Sequence, residues 1–253
     1  MILPTLAAPA WAQNVSPPPV GTPAPDTLNP AKTYQLCLDT ARTFPEQGYE
    51  FAGKWTGLGG GEPAKHCQAV AMLGMKQYPE AATRLEELAL ASKQDNKVRA
   101  GLLAQAAQAW LLIGETARAY AAQTSALQLQ PGDAALLVDR AATLAEAKNY
   151  WDAIDDLNTA ITAAPSHAEA YAFRASAYRM VEADDLALED AERALSLEPG
   201  NLSGLLERGI LYRMKGRAAE ARRDWLRILE LAPESEAAKS ARANIERLDV
   251  KAD

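Results

Sequence analysis

Apolar positions between Ala100 and Pro233 return at fixed intervals, and the same two stripes recur several times. Leu137, Ala141 and Leu144 stand at i, i+4 and i+7, which is one face of an α-helix. Ala153, Leu157 and Ala160 make a second stripe after the polar break Lys148-Asn149-Tyr150. Prolines close the units at Pro131, Pro165, Pro199 and Pro233, each 34 residues from the one before. Counted back from each proline, small residues recur at Ala107, Ala141, Ala175 and Gly209, and large apolar ones at Trp110, Leu144, Tyr178 and Tyr212. Further columns hold Ala119, Ala153, Ala187 and Ala221, then Ala126, Ala160, Ala194 and Ile228. A period in this range means stacked supersecondary units, each too thin to bury its own apolar face. Each unit reads as two antiparallel helices that cross at small residues. The proline ends the second helix, since it lacks an N–H and disfavours helix in its predecessor. Asp133, Ser166 and Asn201 follow three of these prolines and are expected to cap the next helix.

These columns resemble the tetratricopeptide repeat family. Its pattern is met by Tyr171, Ala175, Tyr178, Ala187, Ala191, Ala194 and Pro199, and again by Leu205, Gly209, Tyr212, Gly216, Ala221, Trp225 and Pro233. The resemblance implies an all-α fold, an α-solenoid of stacked helical hairpins, with five repeats over residues 62–233. In the first of them Ala69, Met72, Tyr78, Ala81, Leu85 and Leu88 take template positions, and Pro79 suits the first turn of a helix. About four extra residues within 91–97 are expected to loosen the packing there. Residues 31–61 read as a degenerate N-terminal hairpin, with Tyr34, Leu38 and Ala41 on one helix and Phe51 and Trp55 on the next. Residues 234–253 read as a capping helix whose apolar side is Ala237, Ala238, Ala241, Ile245 and Leu248.

Composition narrows the function. A net charge of −7 argues against a nucleic-acid partner, which would need a basic stripe. No run approaches the ~20 apolar residues of a membrane span. Residues 1–12, ending in Ala10-Trp11-Ala12, resemble the end of a secretory signal, although no basic residue precedes Lys32. Export to a periplasmic or extracellular compartment is expected on that ground, and a cytoplasmic location if the segment is not a signal. Residues 13–30 are proline-rich and lack an apolar period, which reads as a disordered tether. The run Gly57-Leu58-Gly59-Gly60-Gly61 is a turn and not a phosphate loop, because Glu62 stands where the last glycine of that motif belongs.

The chain has two cysteines, Cys37 and Cys67, on the first helices of successive hairpins. In an exported chain an even count reads as a disulfide, with two buried thiols as the alternative. Arg140, Arg174 and Arg208 share one repeat position, and Asp156, Asp190 and Asp224 share another 16 residues on. That offset faces the two helices of one hairpin, so structural ion pairs are expected; a row of ligand-binding arginines is the alternative. His66 and His167, the only histidines, lie near expected helix starts and read as surface or capping residues. No catalytic string occurs, so no enzyme, cofactor or metal is expected.

The resemblance further implies a concave surface lined by the first helix of each repeat. Its groove positions fall on Leu111, Leu112, Val138, Glu146, Ala172, Phe173, Ser176, Arg179, Met180, Leu206, Ile210, Arg213 and Met214. The family's carboxylate clamp asks for Lys and Asn where this chain has Ala104 and Gln108, Val138 and Ala142, and Ala172 and Ser176. A largely apolar lining with adaptable methionines suits an amphipathic helix or extended peptide of a protein partner. The chain's own terminal segments or a second copy, forming a homo-oligomer, are alternative occupants. The competing function is an accessory binder of cell-envelope polysaccharide or peptidoglycan, which would want exposed aromatic rings; Trp55, Trp110, Trp151 and Trp225 mostly fall on core-type positions.

Overall fold

The computed structural model describes residues 29–249. The leader expected over residues 1–12, nearly all of the segment 13–30 and the last residues of 234–253 lie outside the described residues. Among the described residues there are thirteen α-helices and no strand. They form an all-α helical repeat fold, and the chain divides into two compact units, one ending at Pro131 and one beginning at Gly132.

The first unit holds α1 (Pro30–Thr43), α2 (Pro45–Gly57), α3 (Gly61–Gly74), α4 (Tyr78–Ala91), α5 (Asn96–Leu112) and α6 (Thr116–Leu129). Asn29 caps α1 by accepting from the Lys32 amide, and Pro30 and Pro45 open α1 and α2, where a missing N–H is harmless. The two helices touch at Gly48, whose added Cβ would stand 2.3 Å from the Ala41 Cα. Their apolar sides close over α3 in a cluster of Cys37, Leu38, Ala41, Phe51, Trp55, Ala64 and Cys67. Between α2 and α3 the chain turns through left-handed Gly59 (φ 85°) and Gly61 (φ 57°).

The extra residues after α4 do not loosen the packing. They are taken up by α5, whose 17 residues make it the longest of the described helices, and by bonds that pin the connection. Glu62 accepts from the Ser92 hydroxyl at 2.6 Å and the Lys93 amide at 3.2 Å, and Asp95 caps Val98. A single cluster including Leu85, Leu88, Leu102, Ala106 and Trp110 runs across that junction.

The second unit holds α7 (Ala134–Glu146), α8 (Tyr150–Ala163), α9 (Ala168–Met180), α10 (Asp184–Leu197), α11 (Leu202–Met214), α12 (Ala218–Leu231) and α13 (Glu236–Asp249). Successive helices pair as antiparallel hairpins, and α7, α9, α11 and α13 also pack side by side in that order. Asp133 and Asn201 cap α7 and α11 through their side chains. Ser166 does not cap: α9 starts in register with α7 and α11, so the cap position falls on His167, which makes no side-chain bond there, and Ser166 stands one residue ahead of it. The turns inside the hairpins repeat one backbone feature. Lys76, Gly114, Lys148, Glu182 and Gly216 all have φ between 61° and 76°, so three of the five turns place a side chain in the left-handed region.

The small-residue column is where the two helices of each hairpin meet. Ala141 and Ala175 are buried, as are Ala153, Ala187 and Ala221 opposite them. At Gly209 the column needs glycine itself, because Trp225 fills the space and its Nε1 would lie 2.3 Å from an added Cβ. Each of these hairpins also carries a two-point ion pair. Arg140 Nε and Nη2 donate to Asp156 at 2.7 and 2.6 Å, Arg174 to Asp190 at 2.7 and 2.8 Å, and Arg208 to Asp224 at 2.8 and 2.7 Å. The guanidiniums of Arg174 and Arg208 are held above their usual range, first by the hydrogen bond they donate to the aspartate, with burial opposing. Arg174 additionally donates to Asn158 of the preceding hairpin at 2.7 Å.

Two outcomes follow from this packing. Gly209→Ala forces Trp225 out of place and should lower unfolding stability by about 1–3 kcal/mol, read from the denaturant midpoint. In a double-mutant cycle, Arg174→Ala should destabilise by about 3 kcal/mol, with coupling to Asp190→Ala of at least ~1 kcal/mol. Absence of coupling would show that the pair does not hold the hairpin.

Candidate functional site

In the second unit the side-by-side first helices α7, α9 and α11 carry most of the residues expected to meet a partner. Their accessibility separates them into three groups. Met180 (43%) and Met214 (50%) are exposed, as is Glu146, at the C-terminal ends of the three helices. Phe173, Ser176, Leu206 and Ile210 are half-buried, and Leu206 and Ile210 lean on the cluster around Trp225. Val138 (3%) and Ala172 (0%) are corrections: both are buried where α9 lies against its neighbours, so neither can line a binding surface. In the first unit Leu112 is exposed (54%), while Leu111 packs on the core around Trp110.

The two arginines of this face are not equivalent. Arg179 donates through Nε and Nη2 to Glu207 of α11, at 2.7 and 3.2 Å, which ties one first helix to the next. Burial opposes its charge, yet the Glu207 hydrogen bond and carboxylate hold the guanidinium above its usual range. Arg213 occupies the same position one repeat on. The same step of 28 residues from Arg213 reaches Ala241, which has no carboxylate. Its Nε is buried without a hydrogen-bond partner, and so is one carboxylate oxygen of Asp184 at the start of α10. A buried polar atom left unpaired costs about 1–3 kcal/mol, so both atoms gain from any occupant that supplies their complement. The Arg179–Glu207 pair was not foreseen, because it joins neighbouring first helices and shows in the sequence only once those helices are aligned laterally.

Elsewhere the polar groups are engaged in structure. His66 is not a surface residue: it is largely buried between α1 and α5, with Tyr34 Oη 2.5 Å from Nδ1 and Gln105 Oε1 3.0 Å from Nε2. Cys67 beside it is bonded to Cys37, with Cα atoms 6.1 Å apart. Trp110 donates its indole N–H to Glu86 at 2.8 Å and carries the Arg118 guanidinium 3.6 Å above its ring. That ring floors an open cleft of about 460 Å³ whose walls include Glu80, Arg84 and Glu87. Its only hydroxyl, on Thr83, is spent on the Pro79 carbonyl. No group of three or more His, Cys, Asp or Glu side chains able to hold a metal occurs among the described residues. Nor is any described helix long and apolar enough to cross a membrane.

One carboxylate is strongly perturbed. Burial, then repulsion from Glu169 and Asp133, pushes Asp139 of α7 up to about 6, with His167 opposing. The folded chain therefore binds this proton more tightly than the unfolded chain, and the stability it contributes is lost as pH rises from about 3.8 to about 6. Asp139→Asn should raise stability at pH 7.5 by about 1–2 kcal/mol, a gain that vanishes near pH 4, as followed by denaturant unfolding across pH.

No protein-family model matches the chain. It is similar to tetratricopeptide repeat protein 36 of Bos taurus, 37% identical over 118 residues, covering 45% of this chain and 57% of that protein. It is also similar to sperm-associated antigen 1 of Rattus norvegicus, 35% identical over 99 residues, covering 39% of this chain but only 11% of that protein. The chain thus spans little more than half of one relative and a small part of the other. Among solved structures, MamA from Desulfovibrio magneticus RS-1 superposes with a TM-score of 0.57 at 24% identity, over 67% of this chain and 94% of that one. A second MamA structure gives 0.55 at 20% identity, over 66% of this chain and 95% of that one. These last two are likenesses of fold. With the 34-residue register and the hairpins that realise it, they show an all-α fold built of repeated helical hairpins.

Proposed function

We propose that the chain is a non-enzymatic interaction scaffold, holding a helix or extended peptide of a protein partner on the first-helix face of its second unit. The observation that carries this reading is the combination at the ends of α9 and α11. Met180 and Met214 are exposed there, and Met214 follows a half-buried arginine, Arg213, whose Nε has no partner. Methionine adapts its shape to an apolar side chain, and the guanidinium N–H offers one directed bond to a peptide carbonyl or carboxylate. Phe173, Ser176 and Ile210 extend the same surface, and Glu146 borders it. In the first unit, exposed Leu112 gives a separate apolar point of contact.

The non-enzymatic part of the reading is supported by what the polar groups do. Catalysis needs a nucleophile or acid–base pair converging on a space for substrate. Here the arginines of the hairpins are bound to aspartates and His66 is bound on both nitrogens. Among the described tryptophans, a polysaccharide-binding role would rest on Trp151 (65% exposed), since Trp55, Trp110 and Trp225 are buried. We further propose that the protein works in an oxidising compartment outside the cytoplasm, which the Cys37–Cys67 bond supports.

Crosslinking in the native cell, followed by purification and mass spectrometry, tests the scaffold reading. The Met180→Glu/Met214→Glu chain should lose partner peptides at least tenfold while its helical circular dichroism and melting stay unchanged. Undiminished crosslinks to the same partner would reject this face as the binding surface.

A further inference from the structure

The cleft over Trp110 in the first unit is walled by charged side chains that the fold leaves unpaired. Helices α4 and α6 both pack on α5, and Trp110 of α5 floors the groove between them. The apolar side of α4, with Ala81, Ala82, Leu85 and Leu88, is turned into the core. Its other side brings Glu80, Thr83, Arg84 and Glu87 to one wall of the cleft, at the spacing of a single helical face. Arg118 of α6 forms the opposite wall. Glu80, Arg84, Glu87 and Arg118 are all exposed, and among the described residues they enter no ion pair.

Arg118 is held in place without being neutralised. Its guanidinium lies 3.6 Å above the Trp110 ring, and the ring is fixed at its edge by the 2.8 Å bond to Glu86. Stacking uses the face of a guanidinium and leaves the N–H donors on its rim unspent. Elsewhere in the chain such arginines do spend them. Arg174 lies over Tyr178, Arg208 and Arg217 over Tyr212, and Arg193 over Tyr171. They donate to Asp190, Asp224, Glu220 and Ser196 respectively. Among the described residues nothing accepts from Arg118.

Two guanidiniums that face one cleft with their donors unspent are suited to a carboxylate. The same walls also carry two carboxylates, so Arg84 and Arg118 are balanced in charge by Glu80 and Glu87. A small free anion gains from the arginines and loses to the glutamates. Only a ligand whose own carboxylate is flanked by cations gains from all four. Along α4 the order is acidic, basic, acidic, at steps of four and three residues (84−80 and 87−84), about 6 and 4.5 Å of helix rise. A second helix lying along α4 matches those steps, whereas alternate residues of an extended strand are about 6.7 Å apart.

We propose that this cleft is a further docking site, which receives a helix of a protein partner bearing one acidic residue between two basic ones, each a turn apart. The partner's carboxylate accepts from Arg118 and Arg84, and its two cations meet Glu80 and Glu87. Exposed charge pairs each gain little and are screened by salt, so the contact is weak, salt-sensitive and selective for the order of charges. The site lies wholly within the first unit, so it stands or falls separately from the face carrying Met180 and Met214.

Side-chain NMR of the full, nitrogen-labelled chain, titrated with short synthetic helices, tests the site. The reporters are the Trp110 indole N–H and the Arg118 Nε–H, assigned by their loss in Trp110→Phe and Arg118→Gln. The probe is an aminoisobutyrate-rich helical peptide with lysine, glutamate and lysine one turn apart. Its controls replace the glutamate by glutamine, or reverse all three charges. Both reporters should shift saturably with the probe, at least fivefold more weakly with either control, and at least fivefold more weakly in about 0.5 M salt. Arg118→Gln should weaken the Trp110 response to the probe at least fivefold. No saturable shift of the two reporters, or an equal response to the glutamine peptide, overturns the proposal. Should circular dichroism show that Arg118→Gln disturbs the fold, the comparison of the glutamate and glutamine peptides on the wild type decides.

Discussion

A hairpin of two short helices cannot bury its own apolar face, and this constraint governs the whole molecule. It is met by bringing helix axes close, which only the smallest side chains permit. Ala81, Ala119, Ala153, Ala187 and Ala221 have no accessible surface, and each sits where a second helix meets the first helix of its own hairpin or the next. The larger residues then fill what the crossings leave: Trp110 in the first unit and Trp225 in the second are almost wholly enclosed. Gly209 and Trp225 show the rule at its limit, where a larger ring in one column is accommodated by removing the last methyl from the other.

Periodicity made the fold legible because each repeat is a nearly independent sentence in the same grammar. Intra-hairpin partners sit at a fixed offset, so Arg140, Arg174 and Arg208 could be matched to their aspartates from spacing alone, and the structure joins each pair at two points. Contacts between repeats are less readable. Arg179 and Glu207 pair once along the stack, and nothing repeats to advertise them. The same limit explains Val138 and Ala172. A template position says which way a residue points from its own hairpin, but the neighbouring first helix decides whether that direction ends in solvent or in protein.

Local backbone was legible where chemistry is unambiguous and illegible where tertiary structure overrides preference. Asp133 and Asn201 cap as their side chains suggest, while Ser166 stands one residue ahead of the cap column, which falls on His167. Gly114 and Gly216 announce left-handed turns; Lys76, Lys148 and Glu182 adopt the same conformation without announcing it. The repeat imposes the turn, because a helix pair packed at its small-residue crossing must reverse in the same few residues each time. Strain of about 1 kcal/mol at a lysine is small beside the burial it permits.

The two ends of the described chain solve the problem of an exposed terminal face by opposite means. At the C-terminal end α13 lays an apolar side on α12, burying Ala238 and Ala241 and presenting charges outward, with Arg242 bonded to the Pro233 carbonyl at 2.7 Å. That solution is spread over many weak contacts. At the other end α1 and α2 add to their apolar seam a covalent bond and the hydrogen-bonded chain Tyr34–His66–Gln105. His66 escaped the sequence reading because a lone histidine near a helix start is ordinarily solvated. What removes it from water is Gln105 of α5, two helices further along the chain, arriving over the same seam as Tyr34.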